Sequence, residues 1–358
     1  MSKRESGLEL LRIVCIFLII LMHSFGMIKD YCSINNIYIT GGIINAIGNV
    51  GVSCFLLISG YFGIKLKADK FIYLIYITTL YTVLSSIICH SSGFDIIKSL
   101  VVVPIYGNWF ISCYLILMLL SPFIDRLIKS LSEFEFKILI SILFIVSSFL
   151  PTLFISYYHT VITSGGKCLV YVFFLYLVGR YIGLYRQGLK NENIFMWGIF
   201  IIIITSIFLF NLLITELLDR ECRILAMDCS PLILFSSIIL LYIFKNFKFH
   251  SKFINFIAKS VLAVYLLDGL RPWVNSFYKL QKSAQSNSLI VDLFIFSIIM
   301  IVLSVIIDKT RHYIFGKVEK AGIDRLIIVV KSLFGKYFIM SNTNNDKNLL
   351  EAKTINKI

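Results

Sequence analysis

The chain has little charge. Only 15% of its residues are Asp, Glu, Lys or Arg, against 58% apolar, and its mean hydropathy is +0.87. That excludes an ordinary soluble domain, where about a quarter of residues are charged. Acidic residues are the scarcer sign: 20 Asp and Glu stand against 34 Lys and Arg, a formal net charge of +14. A basic balance can mean nucleic acid, but here the basic residues are scattered between apolar runs and form no patch. Positive-inside topology and anionic lipid headgroups explain them better, so the expected partners include membrane lipids and no nucleic acid. The 8 cysteines form no CxxC pair and no Cys/His metal spacing, and most fall inside apolar runs as small core residues. A Cys222–Cys229 disulfide in an outer loop is left open. P-loop, GxSxG, metal motif and internal repeat are all missing, so neither a bound cofactor nor a metal is expected. The first apolar run has no small-residue cleavage site and carries Arg12, which reads as a retained signal anchor.

Long apolar runs recur along most of the chain, as expected of an all-α polytopic integral membrane protein with about ten transmembrane helices. The spans are placed at 8–28, 43–63, 71–90, 108–124, 136–157, 168–185, 194–215, 229–245, 256–274 and 289–308. An even count puts both termini on one side. With the N-terminus inside, the inner short segments hold fourteen Lys and Arg, among them Lys3, Arg4, Lys65, Lys67, Lys70, Arg126, Lys129 and Lys137. The outer ones hold eight (Lys29, Lys98, Lys167, Arg220, Arg223, Arg271, Lys279 and Lys282). The bias is modest, and by it both termini are expected in the cytosol. No pair of broken helices is visible. Residues 309–358 form a basic tail, with an amphipathic stretch from Arg325 to Phe338 on the inner leaflet and a disordered polar end beyond Asn342.

The first span holds three ionisable groups. His23 follows Arg12 by eleven positions, about 20° from three whole helical turns, and Glu9 is three residues before Arg12. Glu9, Arg12, Ile16, Ile19 and His23 therefore share a stripe, with Arg12 and His23 roughly 16 Å apart along the axis. Each residue taken singly reads as an interfacial anchor or a packed neutral histidine. Together they point to a lined cavity, because a charge facing lipid costs about 2.5–3.5 kcal/mol.

Arg4, Leu8-Glu9, Leu11-Arg12 and a histidine after ten intervening residues resemble the opening signature of the membrane-bound acyltransferase family 3. The family usually has aspartate where Glu9 stands. The resemblance covers about residues 4–308 and makes 1–308 a transmembrane acyltransferase domain. It implies an integral-membrane O-acyltransferase, most often an O-acetyltransferase, that decorates bacterial cell-surface glycans. The implied donor is acyl-coenzyme A, acetyl-coenzyme A in the commonest case. The implied acceptor is a hydroxyl on a polysaccharide or its lipid-linked precursor, and the implied location is the bacterial plasma membrane. The resemblance implies that Arg12 and His23 are the essential pair. Arg12 would bind the donor's anionic part with Glu9 pinning its guanidinium, and His23 would act either as general base or as covalent carrier of the acyl group.

Later motifs match more loosely. Ser59-Gly60-Tyr61, followed by Lys65, resembles a family element that could form an anion-receiving mouth; helix packing and stop-transfer lysines are the plainer account. Trp109 stands in a Trp-Phe-Ile version of the family's Trp-Phe-Leu and is a candidate cavity wall, or an interfacial tryptophan before a helix ended by Pro122. Arg180 lies in a Gly179-x-x-x-Gly183 helix, where it either snorkels or joins an inner anion site. The Glu216–Asp228 loop is a solvated outer segment or a sugar-contact surface. Ser260-Val261-Leu262-Ala263-Val264-Tyr265-Leu266-Leu267-Asp268 resembles the family's Ser-x-x-x-Tyr-Leu-x-His, with one more residue between serine and tyrosine and with aspartate in place of histidine. Asp268 could partner His23 in a dyad; a local Asp268–Arg271 pair is the simpler account. The competing function is a proton-coupled transporter or flippase with Glu9, Arg12, His23 and Asp268 as its relay.

Overall fold

The computed structural model describes residues 6–88, 108–154, 164–186 and 193–340. Among them the chain is helical, with no strand. The helices are α1 (Ser6–Ile28), α2 (Ile34–Gly48), α3 (Val50–Phe62), α4 (Ala68–Ile88), α5 (Trp109–Ser130) and α6 (Glu133–Leu153, with a wider turn at Ile145–Phe149). They continue as α7 (Leu169–Tyr185), α8 (Asn193–Leu218), α9 (Pro231–Asn246), α10 (Lys252–Ala258), α11 (Val261–Leu267), α12 (Asn275–Ser283) and α13 (Leu289–Met340). Nine segments of the described residues are long and apolar enough to cross a bilayer, and α7 is a shorter apolar helix. These match the ten expected spans and make the chain a polytopic α-helical membrane protein. In lipid only closed helices satisfy every backbone group internally, so a chain this apolar has no other fold open to it except a barrel.

The bundle is packed around α1, α3 and α7. Gly60, Gly179 and Gly183 let α3 and α7 touch backbone to backbone. A Cβ at Gly60 would stand 2.1 Å from the Tyr176 carbonyl oxygen, and one at Gly179 would stand 2.3 Å from that of Leu57. This is the packing role read for the GxxxG spacing. On the other side α1 meets α3 where Gly51 faces the Cys15 carbonyl, a Cβ there lying 2.8 Å from it.

Three boundaries differ from expectation. Pro122 does not end its helix: α5 runs through it to Ser130. Pro122 cannot donate to the Met118 carbonyl, and the Ser121 hydroxyl does so instead at 2.8 Å, which lets the helix continue in a dry environment. Two spans are interrupted, contrary to the reading that no pair is broken: α2 gives way to α3 at Asn49, and α10 to α11 at Lys259–Ser260. Last, α13 does not stop at Asp308 but runs 52 residues to Met340, about 78 Å, so the basic segment begins as an extension of the final span. The end of the tail, from 341 on, lies outside the described residues. Cys222 and Cys229 are both unbridged.

A buried polar knot ties the α10–α11 break to its neighbours. Asp308 on α13 accepts from Ser260 at 2.7 Å, from Tyr81 of α4 at 2.7 Å and from Arg311 at 3.0 Å. Arg311 also donates to Tyr81 at 3.0 Å and pairs with Glu319. Each partner satisfies a group that would otherwise be a bare charge or hydroxyl among apolar helices. The knot fixes where α11 starts, and therefore where Tyr265 and Asp268 fall.

Candidate active site

The stripe on α1 exists as a surface. Near the start of the helix Glu9, buried and in its first turn where the dipole favours an anion, accepts from Arg12 Nη1 at 2.9 Å. Ser6 anchors this end by accepting from the Ser251 backbone N–H at 2.9 Å and donating to Asn255 at 3.2 Å, which ties α1 to α10. Arg12, Ile16 and Ile19 then line one side of a cavity of about 260 Å³. Its other walls are Phe55 and Ser59 of α3, Phe110 and Tyr114 of α5, and Lys259, Leu262 and Tyr265 around the α10–α11 break. The cavity has room for about nine water-sized groups, which suits a slender chain. Ile19 is the last α1 residue that lines it; His23 lies four residues, about 6 Å, further along the axis.

At that further level the imidazole meets its partner. His23 Nδ1 is 2.6 Å from Asp268 Oδ2, with the carboxylate side chain 7% exposed and the imidazole 38%. A carboxylate only accepts, so Nδ1 carries the proton and Nε2 is left as the basic nitrogen. The contact spans 245 positions of sequence, between the first span and the ninth. Of the two accounts of Asp268, the structure places it on His23; the side chain of Arg271 lies outside the described residues.

The other sequence candidates are spread more widely. Ser59 lines the cavity, its hydroxyl turned back to the Phe55 carbonyl at 2.9 Å. Tyr61 does not; its ring lies 5.8 Å from the Lys245 ammonium. Lys65 is exposed in the α3–α4 connection, and half-buried Trp109 stands behind Phe110, edge to face at 5.9 Å. Arg180 is buried between α7 and the end of α3, against Gly63, where a Cβ would lie 2.7 Å from its Nη1. None of these four is among the residues that line the cavity.

Sequence reasoning missed Tyr265 and Asn108 as a pair. Tyr265 donates to Asn108 Oδ1 at 2.9 Å, and the same oxygen caps α5 by accepting from the Ile111 N–H at 3.3 Å. The capping pattern, a polar residue before an apolar run, was visible; the tyrosine's reach across the bundle was not.

Helices closed around a small cavity, with an ion pair at one end and an imidazole–carboxylate pair beyond the other, define a membrane protein with an intramembrane polar site. A family model described as an acyltransferase domain matches residues 5–309. The chain therefore belongs to the membrane-bound acyltransferase family 3 and is a multi-pass membrane acyltransferase. No curated protein and no solved structure gives a significant match.

Proposed function

We propose that the protein is an O-acetyltransferase of a bacterial plasma membrane. It transfers the acyl group of cytosolic acyl-coenzyme A to a hydroxyl of a cell-surface polysaccharide or its lipid-linked precursor. The observation that carries this reading is the His23–Asp268 contact at 2.6 Å, made on the same face of α1 as the Arg12 cavity. Arg12 binds the donor's anionic part through its planar fork while Glu9 offsets the guanidinium's desolvation. Lys259, on the same cavity, adds a second positive charge. The donor's narrow thioester arm lies along Ile16 and Ile19, which brings the reacting carbon toward His23.

In the chemical step His23 Nε2 takes the proton of the acceptor hydroxyl as its oxygen attacks the thioester carbon. The carbon–sulfur bond breaks, and the departing thiolate receives that proton from the imidazolium. Asp268 holds the tautomer and stabilises the imidazolium, the part an acid partner plays beside a catalytic histidine. An aspartate where family members carry a second histidine is compatible with this scheme, since the partner's task is to accept from Nδ1. The N-terminus and the Arg12 end of α1 face the cytosol in this scheme, and His23 lies toward the outer face.

The interrupted spans are a feature shared with carriers, so unbroken helices no longer argue against the transporter reading. Family membership favours transfer chemistry. The test uses purified protein in liposomes with acetyl-coenzyme A on one side and a soluble glycoside on the other. Acceptor-dependent release of free thiol supports the enzyme. Glycoside or proton flux with no thioester consumed would show a carrier instead.

A further inference from the structure

Asp228 is a buried carboxylate that the proposed chemistry does not use. It is 6% exposed, and its Oδ1 has no hydrogen-bond partner among the described residues. The backbone around it is pinned by side chains from three directions. Asn49, at the α2–α3 junction, donates to the Ala226 carbonyl; Tyr171 of α7 donates to that of Asp228 at 2.6 Å; Ser148 of α6 donates to that of Cys229 at 2.6 Å. The Gly165-Gly166 turn closes over it, with Gly166 at φ +96° and so near that a Cβ would lie 2.7 Å from the Asp228 Cβ. A rigid mount for an anion with an unbonded oxygen needs a reason, because such a group is costly to bury.

The mount stands level with His23. Met22 packs on Gly48, where a Cβ would lie 3.0 Å from the Met22 Cβ, and the next residue, Asn49, holds Ala226. Lys29, beyond His23 on the same chain, pairs with Glu221 of the loop that leads into this segment. His23 and Lys167 are within electrostatic reach of the Asp228 carboxylate. A metal ion does not fit, since the described residues contain no group of three or more His, Cys, Asp or Glu placed to hold one. A carboxylate accepts, so what fits is a hydrogen-bond donor, and a hydroxyl is the donor that the proposed transfer chemistry brings.

We propose that Asp228 binds the acceptor: its carboxylate accepts a hydrogen bond from a second hydroxyl of a polyol or saccharide whose neighbouring hydroxyl His23 deprotonates. The inference rests on the acyltransferase reading and names its acceptor class, a vicinal diol. Asp268 and Asp228 then divide the work around one imidazole, the first holding the ring and the second holding the substrate.

The experiment uses the full chain in detergent or nanodiscs with acetyl- to octanoyl-coenzyme A. Transfer to ethylene glycol is compared with transfer to ethanol, alongside hydrolysis by water. Wild type should prefer the diol. Asp228→Asn and Asp228→Ala should cut the diol-to-ethanol ratio tenfold or more while His23-dependent hydrolysis persists. The unliganded variants should melt no lower than wild type, because Oδ1 has no hydrogen bond to lose among the described residues and the buried carboxylate is costly to desolvate. An unchanged ratio, an equal loss of hydrolysis and transfer, or a melting point lowered by several degrees would each overturn the proposal. Wild-type protein that cleaves no thioester would instead refute the underlying reading, and the proposal with it.

Discussion

Arg12 and Glu9 answer each other at 2.9 Å, and the pairing separates charge from shape in any substitution. Arg12→Lys keeps the charge and loses the fork, so kcat/KM for the donor should fall by about tenfold or more, read as a rise in donor KM. Glu9→Asp, the commoner family residue, should stay within about threefold of wild type in the same assay. Asp268→Asn should lower kcat by about 10²-fold or more with donor KM little changed, because the amide no longer fixes the tautomer or stabilises the imidazolium. Near-normal turnover in Asp268→Asn would return Asp268 to a merely local role. At this scale the α1 stripe was readable, since helical periodicity alone puts Glu9, Arg12 and His23 on one face. Asp268 was nameable but not assignable, as its partner lies 245 residues away and Arg271 lies three. Asp228 was legible only as the end of a loop read as solvated or as a sugar-contact surface; its burial was not, because an aspartate in a loop looks solvated until the fold buries it.

Between helices, the tightest contact is α3 on α7, where glycine substitutes for space. Gly179→Leu would drive a side chain into the Leu57 backbone, so the protein should be extracted in lower yield and melt several degrees lower. Ser121→Ala removes the donor that rescues the Met118 carbonyl and should destabilise by about 1 kcal/mol, measured as a shift in thermal midpoint. The helix-ending reading of Pro122 failed for that reason: the rule describes a backbone with no other donor, and the preceding serine supplies one. The breaks at Asn49 and Lys259–Ser260 were equally hidden, since both flanks of each are apolar and no proline marks them. Arg180 was ambiguous in sequence because burial between two helices and snorkelling to headgroups have the same composition.

For the whole molecule, the apolar runs determined the architecture, because a chain this hydrophobic has few ways to satisfy its backbone. The order in which α1, α3 and α7 pack was not readable, as contact between helices in lipid depends on small residues and polar partners more than on hydropathy. The proposed orientation predicts that a cysteine introduced at Lys65 is labelled from the cytosol and one at Asp219 only from outside. Labelling of both from one side would break this topology, and labelling at Lys65 only from outside with Asp219 from the cytosol would reverse it. The central claim is that an imidazole held by a carboxylate removes the acceptor's proton beside a donor anchored at Arg12. Its most direct measurement is acceptor-dependent thiol release from acetyl-coenzyme A by purified His23→Ala in nanodiscs. The account predicts turnover at least about 10³-fold below wild type with donor binding retained; turnover within tenfold of wild type would contradict it.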